Sequence, residues 1–309
     1  MRPFRFAMRV NHAPNVKAWR ETVRTAEALG YDAVSVCDHF DRQWGPIVAL
    51  TVAAEATTTL RLATGVLNND LRHPAVLAKE IATLDLVSDG RVELGLGAGW
   101  KHDDYRQIGL DFDRPGTRID RLGESIDVLR MLWATGPGNY EGEHYELVDA
   151  VGLPVPPTRP HPPICVGGGG RRVLSMAARK ADIVGFNTSL AAGEYGREAA
   201  LAAHSDRFDE RVAWVREASG ERFDHLELQC DTNFVSVNRD RHGYAAEVGA
   251  QLGIDAAEVL SMPLALAGTV DHICEQLEER RARWSFSYWI IDHEVMHDFA
   301  PVVARLTGN

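Results

Sequence analysis

LRLATGVLNNDLRHPAVLAKEIATLDLVSDGRVELGLG, residues 60–97, decides the fold. It begins and ends with short apolar runs, LRLATGV (60–66) and RVELGLG (91–97), of the kind that make buried strands. Between them Pro74 opens a segment in which Leu77, Ile81 and Leu84 form one helical face, and the second run follows Gly90. Two strands joined through a helix by short connections make a parallel pair with a helical crossover. The alternation continues upstream. FRFAMRV (4–10) reads as a strand, and Asn15 caps a helix with Val16, Trp19, Val23 and Ala26 on one side. Gly30 stops that helix, DAVSVC (32–37) reads as the next strand, and a helix is predicted over 45–57.

Downstream the pattern is looser. Ile119, Leu122, Ile126, Leu129 and Trp133 mark an amphipathic helix, and YEGEHYEL (140–147) reads as a small hairpin. Six of the fourteen prolines then fall between Pro154 and Pro163. Such a stretch could link two domains or wrap as a long loop. The loop is favoured, because PICVGGGG (163–170) resumes the alternation at once. ADIVGF (181–186), HLELQCDTNFVSV (225–237) and SYWII (287–291) complete eight strands, with helices predicted near 204–219, 241–261, from Thr269, and through Val295, Phe299, Val302 and Leu306. Eight alternating units point to a closed (β/α)8 TIM barrel with loop insertions at 100–115 and 138–163, built from residues 1–309 as one domain.

Composition narrows the function. Hydrophobic residues make up 45% and charged residues 25%, ordinary for a soluble globular protein. The net charge of −11 comes without a cationic cluster, which excludes a nonspecific nucleic-acid binder. No apolar run approaches the roughly 18 residues of a membrane span, and MRPFRFAMRV does not resemble a signal peptide, so a cytoplasmic location is expected. Cys37, Cys165, Cys230 and Cys274 form no CxxC pair and read as reduced thiols.

Active sites of such barrels lie at the C-terminal strand ends. Those ends carry Asn11-His12, Asp38-His39, Gly65-Val66 with Asn68, Gly97 to Trp100, Gly167 to Gly170, and Asp292-His293-Glu294. The tetraglycine precedes the helix RRVLSMAARKA, where free N–H groups and the helix dipole suit an anion, and Arg171 and Arg172 add charge. A flexible turn with two solvated arginines is the bland alternative. Asp38-His39 reads either as a cap beside a half-exposed histidine or as an acid/base at the barrel mouth. GLGAGW is not a dinucleotide fingerprint, since the polar stretch KHDDY follows it. His102, Asp103 and Asp104 read as a solvated loop in preference to metal ligands, and no metal is expected.

At these residues the sequence resembles the luciferase-like flavin oxidoreductases, particularly their deazaflavin (F420)-dependent branch. SVCDHF (35–40), LATGVLNNDLRHPAVLAKEIATLDLVSDGRVELGLGAGW (62–100), RIDRLGESIDVLRMLW and PPICVGGGGRRVLSMAARKADIVGF (162–186) carry the likeness, while the C-terminal third matches loosely in GTVDHICEQLEERR (268–281). The resemblance implies His39 as the acid/base beside the redox ring, with Asp38 touching the cofactor. It implies a cis peptide between Gly65 and Val66 behind the ring. Asn68, Ala98 and Gly99 would contact ring or tail, and Gly168, Gly169 and Gly170, with Arg171 beside them, would bind the phosphate. Trp44 matches an aromatic residue on the substrate side, although the stretch from Trp44 to Ile47 is shorter here than in the sugar-phosphate members. The basic residues those members use for substrate phosphate have no clear counterpart, so a sugar phosphate is not expected.

The implied activity is F420-dependent hydride transfer to or from a C=C, C=N or C=O bond of a small molecule, in a homodimer. The alternative within the superfamily is an FMN-dependent monooxygenase. FMN ends in a phosphate monoester, whose sites usually recruit arginine and hydroxyl side chains, and no serine or threonine stands between Gly167 and Ser175. Backbone N–H groups at a helix start suit the singly charged phosphodiester of F420. A metal-dependent barrel hydrolase would need a His-x-His pair on strand one, where only Asn11-His12 stands. A flavin-binding relative without catalysis is the remaining alternative, against which His39 speaks. Substrate contacts are expected from loops at 40–46, 100–115 and 187–204 and from the C-terminal third.

Overall fold

The eight predicted strands form a closed ring. A computed structural model describes residues 1–134, 136–188, 197–237 and 240–308. In it the strands follow as β1 (Arg5–Arg9), β2 (Ala33–Val36), β3 (Arg61–Thr64), β4 (Val92–Gly97), β5 (Ile164–Gly168), β6 (Ile183–Phe186), β7 (Glu227–Asp231) and β8 (Phe286–Asp292). Each pairs in parallel with its successor. Closure is by β1 against β8, with Ala7 opposite Ile290.

Successive side chains of a strand face opposite sides, so one face of the ring meets the helices and the other meets the axis. In β1, Phe6 and Met8 join the outer core with Trp19, Leu50 and Phe299, while Arg5, Ala7 and Arg9 point inward. The axis is stacked in layers. At the bottom Arg5 pairs with Asp32, Glu93 and Glu227, Arg61 reaches Glu93 at 2.6 Å, and the Tyr288 hydroxyl donates to Glu93 at 3.0 Å. Burial alone would push the Glu93 carboxyl up, but the Arg5 and Arg61 guanidiniums hold it below the usual range. Above this plug Ala7, Ala33, Ala63, Cys165, Ile183 and Ile290 fill the middle. At the C-terminal ends the inward residues include Ser35, Gly95, Gly97, Gly167 and Gly185. Side chains this small cannot fill a barrel, and the top layer is hollow.

Two sequence readings need correction. The stretch 225–237 is two strands: the chain leaves the barrel after Asp231, and Phe234–Val237 pairs in parallel with Ala265–Gly268 in a separate small sheet. The Thr232 hydroxyl donates to Ile290 O at 2.5 Å and Asn233 N to Leu264 O at 3.0 Å, which fixes the departure. KHDDY is not a loop but the start of a helix, His102–Ile108, ended by Gly109 at φ +72°. Helix formation turns Asp104 inward to 2% exposure, so it is not solvated. The hairpin is present as Pro137–Glu141 against Glu146–Val151. The proline-rich stretch behind it holds no helix or strand from 152 to 163 and is tied down by Asp85, whose carboxylate accepts from Thr158 N at 3.0 Å.

Candidate active site

The hollow top of the barrel is a cavity of about 540 Å³. It is lined by Asp38, His39, Gly65, Val66, Asn68, Ala98, Gly99, Gly168, Gly169 and Gly170, and so brings together ten of the twelve residues singled out in the sequence. Two do not reach it. The Arg171 side chain is exposed and pairs with Glu217 at 3.2 Å. The ring of Trp44 stacks on the buried Trp19, centroids 5.3 Å apart. Of the loop at 187–204, residues 189–196 lie outside the described residues.

His39 follows β2 and is wedged between two groups. Its Nδ1 stands 2.6 Å from Asp104 Oδ2, and its ring meets Trp100 edge-on at 5.5 Å. An ionised carboxylate only accepts, so the proton of this bond sits on Nδ1, and Nε2 is left for other work. Asp104 is itself fixed, since Oδ1 accepts from Phe40 N at 3.2 Å and lies 3.8 Å from Lys101 Nζ. The sequence reading missed this dyad. The signal was there, in Asp104, Tyr105 and Ile108 at helical spacing before a glycine stop.

Asp38, the neighbour of His39, has its two oxygens engaged. Arg72 holds it bidentately at 2.5 and 3.1 Å, and Asn68 N donates to it at 3.2 Å. It therefore locks the turn after β3 against β2. The Asn68 side chain accepts from Asp70 N and from the Tyr105 hydroxyl, both at 3.1 Å. Burial, then Asp70, pushes the Tyr105 phenol up to about 12, so it stays a donor.

The Gly65–Val66 peptide is cis. A Cβ at 65 would stand 1.9 Å from Ser35 Oγ, so a larger residue there would have to displace the Ser35 side chain. The Cys37 thiol beneath donates to Gly65 O at 3.0 Å and is pushed up to about 12 by burial, which keeps it an inert thiol. The four cysteines are free.

The glycine loop owes its composition to close approach. Among Gly167 to Gly170 no residue has positive φ. A Cβ on Gly168 would meet Val173 at 2.4 Å, and one on Gly169 would meet the Thr188 carbonyl oxygen at 2.4 Å. On Gly170, which also lines the cavity, a Cβ would touch nothing within 4 Å. Gly170 is also the N-cap of the helix Arg171–Lys180, whose first turn has neither an acidic residue nor a side-chain cap. Its N–H groups are available to an anion. Across the cavity Arg9 binds Asp231 at 2.5 Å and Asp292 at 2.7 Å. Burial raises the Asp231 carboxyl despite Arg9. Among the described residues no cluster could hold a metal ion.

Together these features make a parallel eight-stranded barrel whose top cavity carries a glycine loop at a helix start and a His39–Asp104 pair at its mouth. The chain belongs to the luciferase-like monooxygenase family, whose model matches residues 1–215. It is 36% identical over 166 residues to an F420-dependent glucose-6-phosphate dehydrogenase of Amycolatopsis mediterranei, covering 51% of this chain and 49% of that protein. The chain thus spans about half the length of these curated relatives it matches. Its fold follows the coenzyme F420-dependent tetrahydromethanopterin reductase of Methanopyrus kandleri with a TM-score of 0.75, covering 99% of this chain and 100% of that one at 19% identity. It also follows the long-chain alkane monooxygenase LadA, with a TM-score of 0.76 over 99% and 91% of the two chains at 15% identity.

Proposed function

We propose that this protein is an F420-dependent oxidoreductase that moves a hydride between the deazaflavin and a C=C, C=N or C=O bond of a small organic molecule. The observation that carries this reading is the anion end of the cavity. It offers backbone N–H groups and an open Gly170, the stretch from Gly167 to Leu174 holds no hydroxyl side chain, and the nearby Thr188 hydroxyl is taken up by Ala199 O, a set that suits a singly charged phosphodiester. Gly168, Gly169 and Gly170 would hold that phosphate, and Val66, Asn68, Ala98 and Gly99 would border the ring.

When bound, the deazaflavin supplies a two-electron hydride donor or acceptor. The chain's own residues do the rest. Asp104 fixes the tautomer and the aim of His39, so that Nε2 could give or take the proton that the heteroatom of a C=O or C=N bond gains or loses as hydride is added to or removed from its carbon. Trp100 packs edge-on against the imidazole. Cys37, unreactive, packs behind the Gly65–Val66 turn. The whole chain, 1–309, would act as one barrel unit in the cytoplasm; no helix among the described residues is long and apolar enough to cross a membrane. A second copy is the proposed partner, since the neighbouring helices Pro46–Ala56 and Pro74–Val87 expose Val48, Val76, Leu86 and Val87. Light scattering is expected to give twice the chain mass at micromolar concentration, and a monomer would contradict that part.

The test of the reaction is anaerobic. Reduced F420 is mixed with the protein and a panel of enones, imines and ketones, and reoxidation is followed optically. Turnover without oxygen is the expected result. Turnover only with reduced FMN and oxygen would replace this reading with the monooxygenase.

A further inference from the structure

The wall of the cavity formed by β7, β8 and β1 carries more negative charge than positive. Each of these strands ends on a charged residue: Asp231, Asp292 and Arg9. Arg9 stands opposite Asp292 in register, and its guanidinium is spent mainly there, Nε donating to Oδ1 at 2.7 Å and Nη2 to Oδ2 at 2.9 Å. Nη2 also donates to Thr232 O at 3.0 Å. Asp231 receives a single guanidinium bond, from Nη1 to Oδ1 at 2.5 Å. Its Oδ2 accepts from the neutral Asn187 amide at 3.2 Å. Arg9 and Asp292 are the charged groups that act on Asp231. One arginine between two carboxylates leaves a surplus of one negative charge.

The other carboxylates that line the cavity are better supplied. Asp38 has Arg72, Glu93 has both Arg5 and Arg61, and Asp104 has His39 with Lys101 close by. Among them Asp231 alone has one arginine and shares it with a second carboxylate. Its side chain keeps 24% exposure and lines the cavity, so the surface it retains faces the space a ligand would fill. Asp292 lies two residues further along β8 than Ile290, the register partner of Asp231, and is 40% exposed. The lining around Asp231 is neutral: Asn11, Cys37, Asn187, Gln229 and Asn233. The rings of His12 and His293 meet each other edge-on, centroids 6.4 Å apart. In a ring of eight strands β7 stands opposite β3, which puts Asp231 across the cavity from the Gly65–Val66 turn. A carboxylate left under-neutralised in a confined site attracts a cation strongly and repels an anion.

We propose that the substrate of this cavity carries an ammonium group, which Asp231 receives on the wall opposite the Gly65–Val66 turn. The assignment rests on the F420 reading above and narrows its small organic substrate to a cationic one. Asp231 supplies the binding charge, Arg9 and Asn187 hold its carboxylate in place, and Asp292 keeps Arg9 from neutralising it. His39 is left to serve the reacting bond. The same charge turns away anionic substrates such as keto acids, so it acts as a specificity device as well as a contact.

The test varies charge at constant shape. Three ketones of equal length are titrated calorimetrically into the F420-loaded protein: a dimethylaminoalkyl ketone, cationic at neutral pH, its neutral isopropyl isostere, and the corresponding keto carboxylate. The cationic probe is expected to bind at least about tenfold more tightly than the isostere, as one charge-assisted contact allows, and the carboxylate more weakly than both. Asp231→Asn keeps the shape and removes the charge. It is expected to weaken the cationic probe by about tenfold or more and the isostere by less than about threefold. The wild-type series decides without the variant: equal binding of the three probes, or no binding of the cationic one, would overturn the proposal. Equal losses for the cationic and neutral probes in Asp231→Asn would make Asp231 a support of the wall and overturn it too. Wild-type protein that does not take up F420 would instead overturn the cofactor reading, and this assignment with it.

Discussion

Gly170→Ala separates what the glycine loop does for the fold from what it does for a ligand. Gly170 has φ −101° and ψ 155°, open to any residue, and an added Cβ meets no atom within 4 Å. Two small terms remain. Alanine is a poorer N-cap than glycine, which costs roughly 0.5–1 kcal/mol, and it restricts the unfolded chain, which returns about 0.4–1 kcal/mol. They nearly cancel, so the variant without cofactor is expected to melt within about 2 °C of wild type. If the phosphate sits at this helix start, the added methyl group crowds it at a cavity-lining position, and F420 affinity is expected to fall at least about tenfold. Gly169→Ala is the contrasting case. There the Cβ lies 2.4 Å from Thr188 O and 2.5 Å from Thr188 C, backbone atoms that cannot swing aside. Overpacking of this kind costs about 1–3 kcal/mol or more, so the melting temperature falls as well. The assay pairs thermal melting of the free protein with a fluorescence titration. A Gly170→Ala variant that binds F420 like wild type would refute the placement of the phosphate at this helix start.

The remaining expectations concern the dyad and one acid. His39→Ala is expected to lower turnover by roughly 10²–10⁴ while cofactor affinity stays within about tenfold; steady-state rates and a titration check it, and unchanged turnover would make His39 a ring contact only. Asp104→Asn keeps the shape but loses the charge behind Nδ1, and should lower turnover by about tenfold or more with little change in cofactor binding. Glu27 tests pH dependence. Burial opposes its charge, but N–H groups of Thr59, Thr58 and Leu60 donate to Oε1 at 2.6, 2.8 and 3.0 Å and hold the carboxyl down at about 2. Its folded value lies below the unfolded one, so its contribution is present above about pH 4.5 and fades as pH falls toward 2. Glu27→Gln should therefore melt below wild type at pH 7 and converge with it near pH 2–3; a gap that persists in acid would contradict the linkage.

The barrel was legible because parallel strands buried on both faces leave continuous apolar runs, such as AVSV in β2 and VELGLG in β4. Helix starts were equally local: Asn15 accepts from Ala18 N, and Thr269 from His272 N, as their residue types announced. What failed was non-local. ALAG (265–268) is too short and too plain to stand out, and its partner strand lies about thirty residues away in sequence. The run 225–237 gave no hint of leaving the barrel, because the pull comes from carbonyls of Ile290 and Leu264. At the site, strand ends located the cavity correctly. Charged side chains were another matter. Arg171 and Arg118 look alike in sequence, yet one meets Glu217 in solvent and the other lies against Phe112. Asp104 was hidden by two polar neighbours that made a short helix look like a loop.

The most direct test of the cofactor is a parallel titration of the wild-type protein with oxidised F420 and with FMN at the same salt concentration. F420 is expected to bind at low micromolar concentration or tighter, and FMN at least about tenfold more weakly, because the glycine loop offers backbone donors without the arginine and hydroxyl side chains that suit a dianion. Tight FMN binding with no F420 binding at tens of micromolar would contradict the account and make the oxygen-using monooxygenase the leading reading.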